Sequence, residues 1–333
     1  MNFKVNVMRS AAAAGLAVVM LASCGGGTQI EAFVPARVIA FGDESSLIEV
    51  GGAKYTVNGV VFNTTVSPSV PADPKVADCT ANQIWVQQLA YSYGLAFGRT
   101  VDGVDEDRCP GTVTNRNGVM MAQAGVGVAG VTTQVTNFLA GNAFASNDLV
   151  TVMVGMHDVI DALDQANPIA AVEQAGTQVG AEVVRITDRG AKVIVSTIPD
   201  LGLTPYAIAR EVSNPGSIAQ LSDLTKRFNT SLRLKLQDVR DGGRAAGLVL
   251  ADELVLSMSR FPATYGLINI TQGVCSTALP GCDMTTLLTT LNPVPAATSY
   301  GNDCLWADET HLGPNAQNRL GALAVSRARN NPF

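Results

Sequence analysis

Apolar runs and helix-spaced apolar stripes alternate along most of this chain. Uninterrupted apolar runs predict strands, and apolar residues spaced three and four apart predict amphipathic helices. The predicted strands lie at residues 36–41, 149–154, 192–198 and 248–251. The predicted helices lie at residues 81–93, 131–139, 172–186 and 221–239. Strands that alternate with helices are typical of parallel βαβ units, and strands apolar throughout indicate burial on both faces. The pattern therefore predicts one α/β domain, a three-layer α/β/α sandwich with a mostly parallel sheet, over residues 36–333.

The segments between these elements are expected to be loops. Residues 48–78 are rich in Gly, Val and Thr without a helical period, which favours a hairpin-like excursion. Residues 100–117 are polar and are expected to form a loop. In parallel α/β folds the functional site lies at the carboxyl ends of the strands, so we expect residues 48–78 and 254–299 to shape a pocket there.

The first 35 residues have the pattern of an export signal. Lys4 and Arg9 precede an apolar run at residues 11–22, which is too short to span a bilayer. The run ends in Leu-Ala-Ser-Cys, the pattern of a lipoprotein signal, and glycines follow Cys24. We expect a signal peptide at residues 1–23, lipid attached to Cys24, and a flexible tether at residues 24–35. The alternative is an ordinary signal peptide cut at a small residue. Gly25 after the cysteine favours anchoring in the outer membrane.

Composition narrows the function classes. The net charge is −6, so the chain lacks the basic excess that phosphate backbones require, and we expect no nucleic-acid partner. With 47% hydrophobic and 15% charged residues the sequence is that of a folded chain.

Five cysteines follow Cys24, and an exported chain meets an oxidising compartment where disulfides form. Cys275 and Cys282 enclose a short loop suited to a local bridge, and Cys79 and Cys109 would close a larger one. Cys304 would then be unpaired, although the sequence alone leaves the pairing open. No spacing of Cys or His is typical of a metal site, so no metal is expected.

Polar residues with catalytic potential stand after the predicted strands. Gly42-Asp43-Glu44-Ser45-Ser46 follows the first strand, and Gly125 lies in a glycine-rich turn. A serine at a strand-to-helix turn is suited to nucleophilic attack, but such serines more commonly cap helices. The alternative role of Gly125 is to form the turn alone, which is the usual use of glycine.

The two histidines of the chain stand in similar positions. His157 follows the strand at residues 149–154, where it is suited to donate to an oxyanion or to bond the backbone of the core. Asp308 precedes His311 by three residues, a spacing that lets a carboxylate fix Nδ1–H and leave Nε2 free as a base. The alternative is a surface turn whose polar side chains face water.

Taken together, these segments resemble the GDSL/SGNH hydrolases, of the lipase-like branch. Residues 41–43 and the serines after them are similar to the first block of that family, and residues 122–125 to the second. Residues 155–158 are similar to the third, and residues 308–311 to the Asp-x-x-His block. Residues 198–205 and 261–267 also match the lipase-like branch, so the resemblance extends from about residue 37 to the end.

The resemblance implies a serine esterase or lipase-like hydrolase. Ser45, with Ser46 as the alternative nucleophile, would attack an acyl ester, His311 would take its proton, and Asp308 would orient His311. The oxyanion would be bound by the Ser45 and Gly125 N–H groups and the His157 side chain. Substrates would be small-molecule or lipid esters, and no cofactor or metal is implied.

Two positions depart from the family pattern. The family has serine directly after Gly-Asp, where this chain has Glu44, and asparagine where this chain has His157. One residue along a helix start turns a side chain by about 100°, so either the turn carries an extra residue or Glu44 fills the nucleophile position. In the second case the chain would be a surface lipoprotein that binds rather than hydrolyses. An acyl transferase using the same serine and histidine is a further alternative.

Overall fold

The computed structural model describes residues 33–62, 75–294 and 296–330. The predicted signal peptide, the predicted lipidation site Cys24 and most of the predicted tether lie outside the described residues. The described residues from Val34 onward form one compact unit.

A six-stranded sheet, parallel throughout, forms the centre of the fold, with strand order β4-β5-β1-β6-β7-β8. Its strands are β1 Arg37–Gly42, β4 Leu95–Arg99, β5 Asn115–Met120, β6 Asp148–Met153, β7 Lys192–Ser196 and β8 Ala246–Val249. Two small two-stranded sheets pair β2 Gly59–Phe62 with β3 Lys75–Asp78, and β9 Asn269–Gly273 with β10 Cys304–Trp306.

Helices cover both faces of the central sheet. The described helices are α1 Trp85–Ser92, α2 Val128–Gly141, α3 Met156–Ala162, α4 Pro168–Thr187, α5 Pro205–Ser213, α6 Ser217–Asp241, α7 Ala251–Arg260 and α8 Pro314–Asn330. Helices α2, α4 and α6 form one layer, while α1 and α8 pack together in the other. The predicted three-layer α/β/α sandwich is confirmed. None of the described helices combines the length and apolarity needed to cross a bilayer.

The larger core lies between the sheet and helices α2, α4 and α6. Alternate strand residues such as Ile39, Val152 and Val195 point into it and are fully buried. Helices α4 and α6 approach closely because Gly176 has no Cβ. A methyl group there would lie 2.2 Å from the carbonyl oxygen of Phe228. The helical stripes of the sequence thus bury apolar area, which is the main source of stability in such a fold.

Two disulfides fasten the loops outside the sheet. Cys79 is bonded to Cys109 and Cys275 to Cys282, while Cys304 is a buried free thiol. Both pairs agree with the pairing that the sequence favours.

One expectation about the first half of the chain needs correction, and one strand there was not predicted. Residues 100–117 are not a loop throughout, because β5 already begins at Asn115. Its first residues are exposed and polar, so they lack the apolar signal of a buried strand. Strand β4 at the sheet edge was not predicted at all. The hairpin-like excursion is confirmed in its described part by the antiparallel pairing of β2 with β3.

Candidate active site

The turn after β1 is shaped by Gly42. Its φ is +147°, and a Cβ there would lie 2.2 Å from the carbonyl oxygen of Met153, so only glycine fits. The side chain of Gln134 on α2 holds this residue on both sides. Its Oε1 accepts from the Gly42 N–H at 3.0 Å, and its Nε2 donates to the Gly42 carbonyl at 2.9 Å. The turn is therefore fixed to both the neighbouring strand and the helix above it.

Residues Glu44–Ser46 form one 3₁₀ turn, which Asp43 caps. The Asp43 Oδ1 atom accepts from the Ser45 N–H at 2.9 Å. Ser46 is fully buried, and its Oγ accepts from the indole N–H of Trp85 at 3.2 Å. Ser46 is thus occupied in packing, while the Ser45 side chain lines a cavity of about 20 Å³ together with Met153 and other residues.

The Glu44 side chain lies at the centre of the site and is only 4% exposed. Its Oε2 accepts from the Gly125 N–H at 2.9 Å. Its Oε1 lies 2.7 Å from Nε2 of His157 and 3.3 Å from Nε2 of His311. One carboxylate therefore contacts three groups that come from three distant segments of the chain.

Gly125 and His157 reach Glu44 from the carboxyl ends of β5 and β6. Gly125 has φ +73°, a left-handed conformation that glycine adopts without strain. His157 lies in the first turn of α3, directly after Gly155 and Met156. Gly155 has φ +133°, and a Cβ at this residue would overlap the Phe228 ring. The third block of the sequence therefore needs its glycine for packing as well as for the turn.

Asp308 and His311 form a pair on the loop between β10 and α8. His311 Nδ1 lies 2.9 and 2.8 Å from the two carboxylate oxygens of Asp308. The Asp308 carboxylate also accepts from the backbone N–H groups of Thr310 and His311. These bonds orient the imidazole so that Nε2 points toward Glu44, and the Tyr55 ring lies beside it at 5.7 Å between centroids.

The charges of these groups are strongly coupled. Burial opposes the ionisation of Glu44, but hydrogen bonds from His157 and His311 outweigh it and hold the pKa of Glu44 well below its usual range. Burial likewise lowers the pKa of His311, but its bonds to Asp308 and Glu44 outweigh this and raise the pKa to about 9. The bond to Glu44 also raises the pKa of His157. Burial and the Glu44 charge raise the pKa of Asp43 to about 7.

These shifts define the protonation state of the site near neutral pH. Glu44 is a carboxylate, and His311 is an imidazolium that donates from Nδ1 to Asp308 and from Nε2 to Glu44. An imidazolium has no lone pair with which to accept a proton. In this arrangement Nε2 of His311, the atom that would accept a proton from a nucleophile, faces the Glu44 carboxylate.

The structure brings together four of the predicted site residues: Gly125, His157, Asp308 and His311. It places Glu44 among them, at the point where their polar atoms converge. Among the described residues, no hydrogen bond joins Ser45 Oγ to His311. The predicted role of Ser45 remains untested.

Comparison with known proteins places this arrangement in a family. The family model described as GDSL-like Lipase/Acylhydrolase matches residues 38–324. The chain belongs to the GDSL-like lipase/acylhydrolase family. The match extends from β1 to within α8, so it includes every residue of the site.

Solved structures similar to this GDSL-like chain share little sequence with it. One is a member of the lipolytic G-D-S-L family from Veillonella parvula, with 10% identity over 87% of this chain and 96% of that one, at a TM-score of 0.44. Another is an acetylxylan esterase from Geobacillus stearothermophilus, with 11% identity over 90% and 96% and a TM-score of 0.45. A third is an α/β hydrolase enzyme from the metagenome of Lake Arreo, Spain, with 12% identity over 89% and 96% and a TM-score of 0.43. No curated protein matches the sequence.

Some residues of this GDSL-like site carry no signal in the sequence. Gln134 holds the first turn and Tyr55 lies beside His311, yet both belong to segments that show no motif. Gln134 stands on the buried face of α2, where a polar residue is unusual, and that position is the one available clue. Within residues 33–62, 75–294 and 296–330, no group of three or more His, Cys, Asp or Glu side chains is arranged to hold a metal ion.

Proposed function

We propose that this chain is a binding member of the GDSL-like family, which recognises an ester-bearing ligand without hydrolysing it through a serine. The observation that carries the proposal is the position of Glu44. Its carboxylate contacts the Gly125 N–H, His157 and His311, the groups that the family resemblance assigns to the oxyanion hole and the base.

Serine esterases depend on two conditions that Glu44 removes. The base must be a neutral histidine, and the oxyanion donors must be free to bind the charge that develops on the substrate oxygen. Here the Asp308 and Glu44 carboxylates together raise the pKa of His311 to about 9, and Glu44 already accepts from the Gly125 N–H. A substrate carbonyl would have to displace a full negative charge from two histidines, and a neutral oxygen is the weaker acceptor.

The experiment compares the native chain with Glu44→Ser, which has the family's nucleophile at the family's position. Each protein is treated with a fluorophosphonate probe and assayed for turnover of p-nitrophenyl butyrate. We expect no label and no turnover above background for the native chain. Glu44→Ser should take label at residue 44 and gain turnover by at least about a hundredfold, because its Asp308–His311 pair then has a serine to activate.

Controls separate the site from the fold. The double variant Glu44→Ser/His311→Ala should lose the gain, and Ser45→Ala should leave the native chain unchanged. Thermal melting of each variant checks that it is folded. Saturation-transfer NMR with p-nitrophenyl butyrate tests binding, and the ester should contact the native protein and be recovered intact. Label on Ser45 of the native chain, or no contact with the ester, would overturn the proposal.

A second candidate is a serine esterase that uses Ser45. It is supported by the Asp308–His311 pair, which has the geometry that such an enzyme needs. Glu44 would have to leave His311 when substrate binds, so that Ser45 could take its place. If this candidate is correct, the fluorophosphonate probe should label Ser45 of the native chain and should not label His311→Ala. The first proposal predicts no label on the native chain.

We also propose that the chain is exported and anchored by lipid at Cys24. The Leu-Ala-Ser-Cys pattern supports the anchor, and the two disulfides of the described residues are consistent with export. Metabolic labelling with an alkyne fatty acid should mark the native chain and not Cys24→Ala. The variant should instead be recovered in soluble form, whereas equal labelling of both would exclude this anchor.

A further inference from the structure

A groove runs along the outer edge of β8, which lies at the opposite edge of the central sheet from β4. It has a volume of about 700 Å³, and its lining includes residues 245–248 and residues of α6 and α8. Nothing in the chemistry of the Glu44 site makes use of it.

The floor of the groove is an unpaired strand edge. Strand β8 is the last strand of the sheet and pairs with β7 alone among the described strands. The N–H groups of Val193 and Thr197 donate to the carbonyls of Ala245 and Val249, so alternate residues of this segment face β7. The backbone groups of Ala246 and Leu248 therefore point outward into the groove. Such an edge is a template for another strand.

Four arginines surround this edge: Arg233, Arg240, Arg244 and Arg327. Two have acidic partners, since Arg233 pairs with Asp252 and Glu253, and Arg244 pairs with Asp188. Among the described residues, Arg240 and Arg327 have no carboxylate within salt-bridge distance. The chain as a whole is acidic, with a net charge of −6. Two arginines without an acidic partner at one edge of the sheet are a local exception to this acidic character.

The side chain of Arg327 packs against β8 and does not extend freely into solvent. Its side chain packs on Gly247 of β8, where an added Cβ would lie 2.8 Å from Arg327 Cγ. The glycine lets the stem of Arg327 lie across the strand, and Arg327 is one of the residues that line the groove. The position of this charge beside the free backbone edge is therefore fixed by packing.

We propose that this groove binds an extended acidic segment of a partner protein, which adds to β8 as a further strand. The free backbone groups of Ala246 and Leu248 would supply the main-chain hydrogen bonds. Arg240 and Arg327 would pair with carboxylates on alternate positions of the segment. This is the mode of strand addition, in which the backbone gives affinity and side chains give specificity.

Charge complementarity favours this occupant over a second copy of the chain. A partner of net charge −6 would be repelled at long range, and its own β8 edge would bring the same arginines face to face. An extended acidic segment would form hydrogen bonds with the free backbone edge of β8 and would also pair with the arginines. A phosphate group alone would use the arginines and leave the strand edge unpaired.

The test uses a fluorescent peptide of alternating valine and glutamate, and measures its binding to the whole protein by anisotropy. The control peptides replace glutamate by lysine, or carry N-methyl groups on alternate residues so that strand pairing is blocked. We expect the glutamate peptide to bind and both control peptides to bind at least about tenfold more weakly.

Variants assign the binding to this edge. Arg240→Gln should weaken binding by about tenfold, while Arg116→Gln, an exposed arginine on β5, serves as the matched control and should have no effect. Ala246→Pro, at the first residue of β8, removes one outward N–H without touching the bonds to β7 and should abolish binding, and thermal melting of this variant checks that it is folded. Equal binding of the N-methylated peptide, no binding of the glutamate peptide, or binding only to vesicles of an anionic phospholipid would each overturn the proposal.

Discussion

At the scale of single residues, Glu44 has the largest effect on the chemistry of this molecule. Its carboxylate accepts from the Gly125 N–H, contacts Nε2 of both histidines and, together with Asp308, raises the pKa of His311. The sequence raised this possibility, because Glu44 stands where the family has serine. The sequence did not reveal that His157 would also bond to it, since that contact depends on the spacing of β1 and β6 in the sheet.

The coupling of Glu44 to His311 predicts a pH dependence of stability. The folded-state pKa of His311, about 9, lies above its ordinary value of 6.5. Protonated His311 therefore stabilises the fold fully below about pH 6.5, and this contribution is lost as pH rises through about 9. In Glu44→Gln the pKa of His311 should fall only in part, because Asp308 remains as its larger cause, so the variant should lack the share of that contribution that Glu44 provides.

The measurement is urea unfolding of the native chain and of Glu44→Gln at pH 7 and pH 10. The stability advantage of the native chain should shrink toward pH 10. The difference between the two proteins is the readout, because burial lowers the pKa of Lys54 to about 7 in both. Because the pKa of Lys54 is lowered, this residue makes the free energy of unfolding increase with pH in the same range. This trend is opposite to the one expected from His311. A constant difference across the range would mean that Glu44 does not set the protonation of His311.

At the scale of elements, the site depends on turns that only glycine can form. The sequence places Gly42 and Gly155 after strands, which correctly predicts turns there. The reasons for the glycines, a nearby carbonyl of β6 and the Phe228 ring, come from other elements and carry no local signal. The Asp308–His311 pair was the opposite case. It is local in sequence, and its hydrogen bond is formed as the spacing predicts.

Gly42→Ala should therefore be strongly destabilising. Its φ of +147° and the close approach of the Met153 carbonyl together predict a loss of about 3 kcal/mol in the free energy of unfolding. Gly141→Ala, in the exposed last residue of α2 with nothing within 4 Å of the added Cβ, is the matched control. It should be neutral or stabilise by up to about 1 kcal/mol. Urea unfolding of both variants provides the measurement, and equal effects would contradict this account of the turn.

At the scale of the whole molecule, the sequence correctly predicts the three layers of the sandwich but only four of the six strands of the central sheet. Strands β1, β6, β7 and β8 were foreseen because they are apolar or nearly so along their length. Strands β4 and β5 were not, because β5 begins with exposed Asn and Arg residues and β4 lies at an edge. A strand that is polar at one end gives neither a continuous run nor a clean alternation.

The two disulfides should differ in how much they stabilise the fold. The Cys79–Cys109 bridge spans 30 residues and the Cys275–Cys282 bridge spans 7. Because a longer closed loop restricts the unfolded chain more, the first should contribute about 3–4 kcal/mol and the second about 2 kcal/mol. The paired Cys→Ala variants of each bridge, compared by thermal melting, should show the larger loss for Cys79 and Cys109. The reverse order would mean that native packing around the bridges outweighs loop entropy.

The bond between Trp85 and Ser46 gives the molecule a built-in optical reporter. The chain has two tryptophans, and the other, Trp306, donates its indole N–H to the carbonyl of Ile270. Replacing Trp306 by phenylalanine would leave one fluorophore, bonded to the same short turn that carries Glu44. Its emission wavelength and lifetime would then register any movement of that turn in real time, in the untagged protein and before any product is formed.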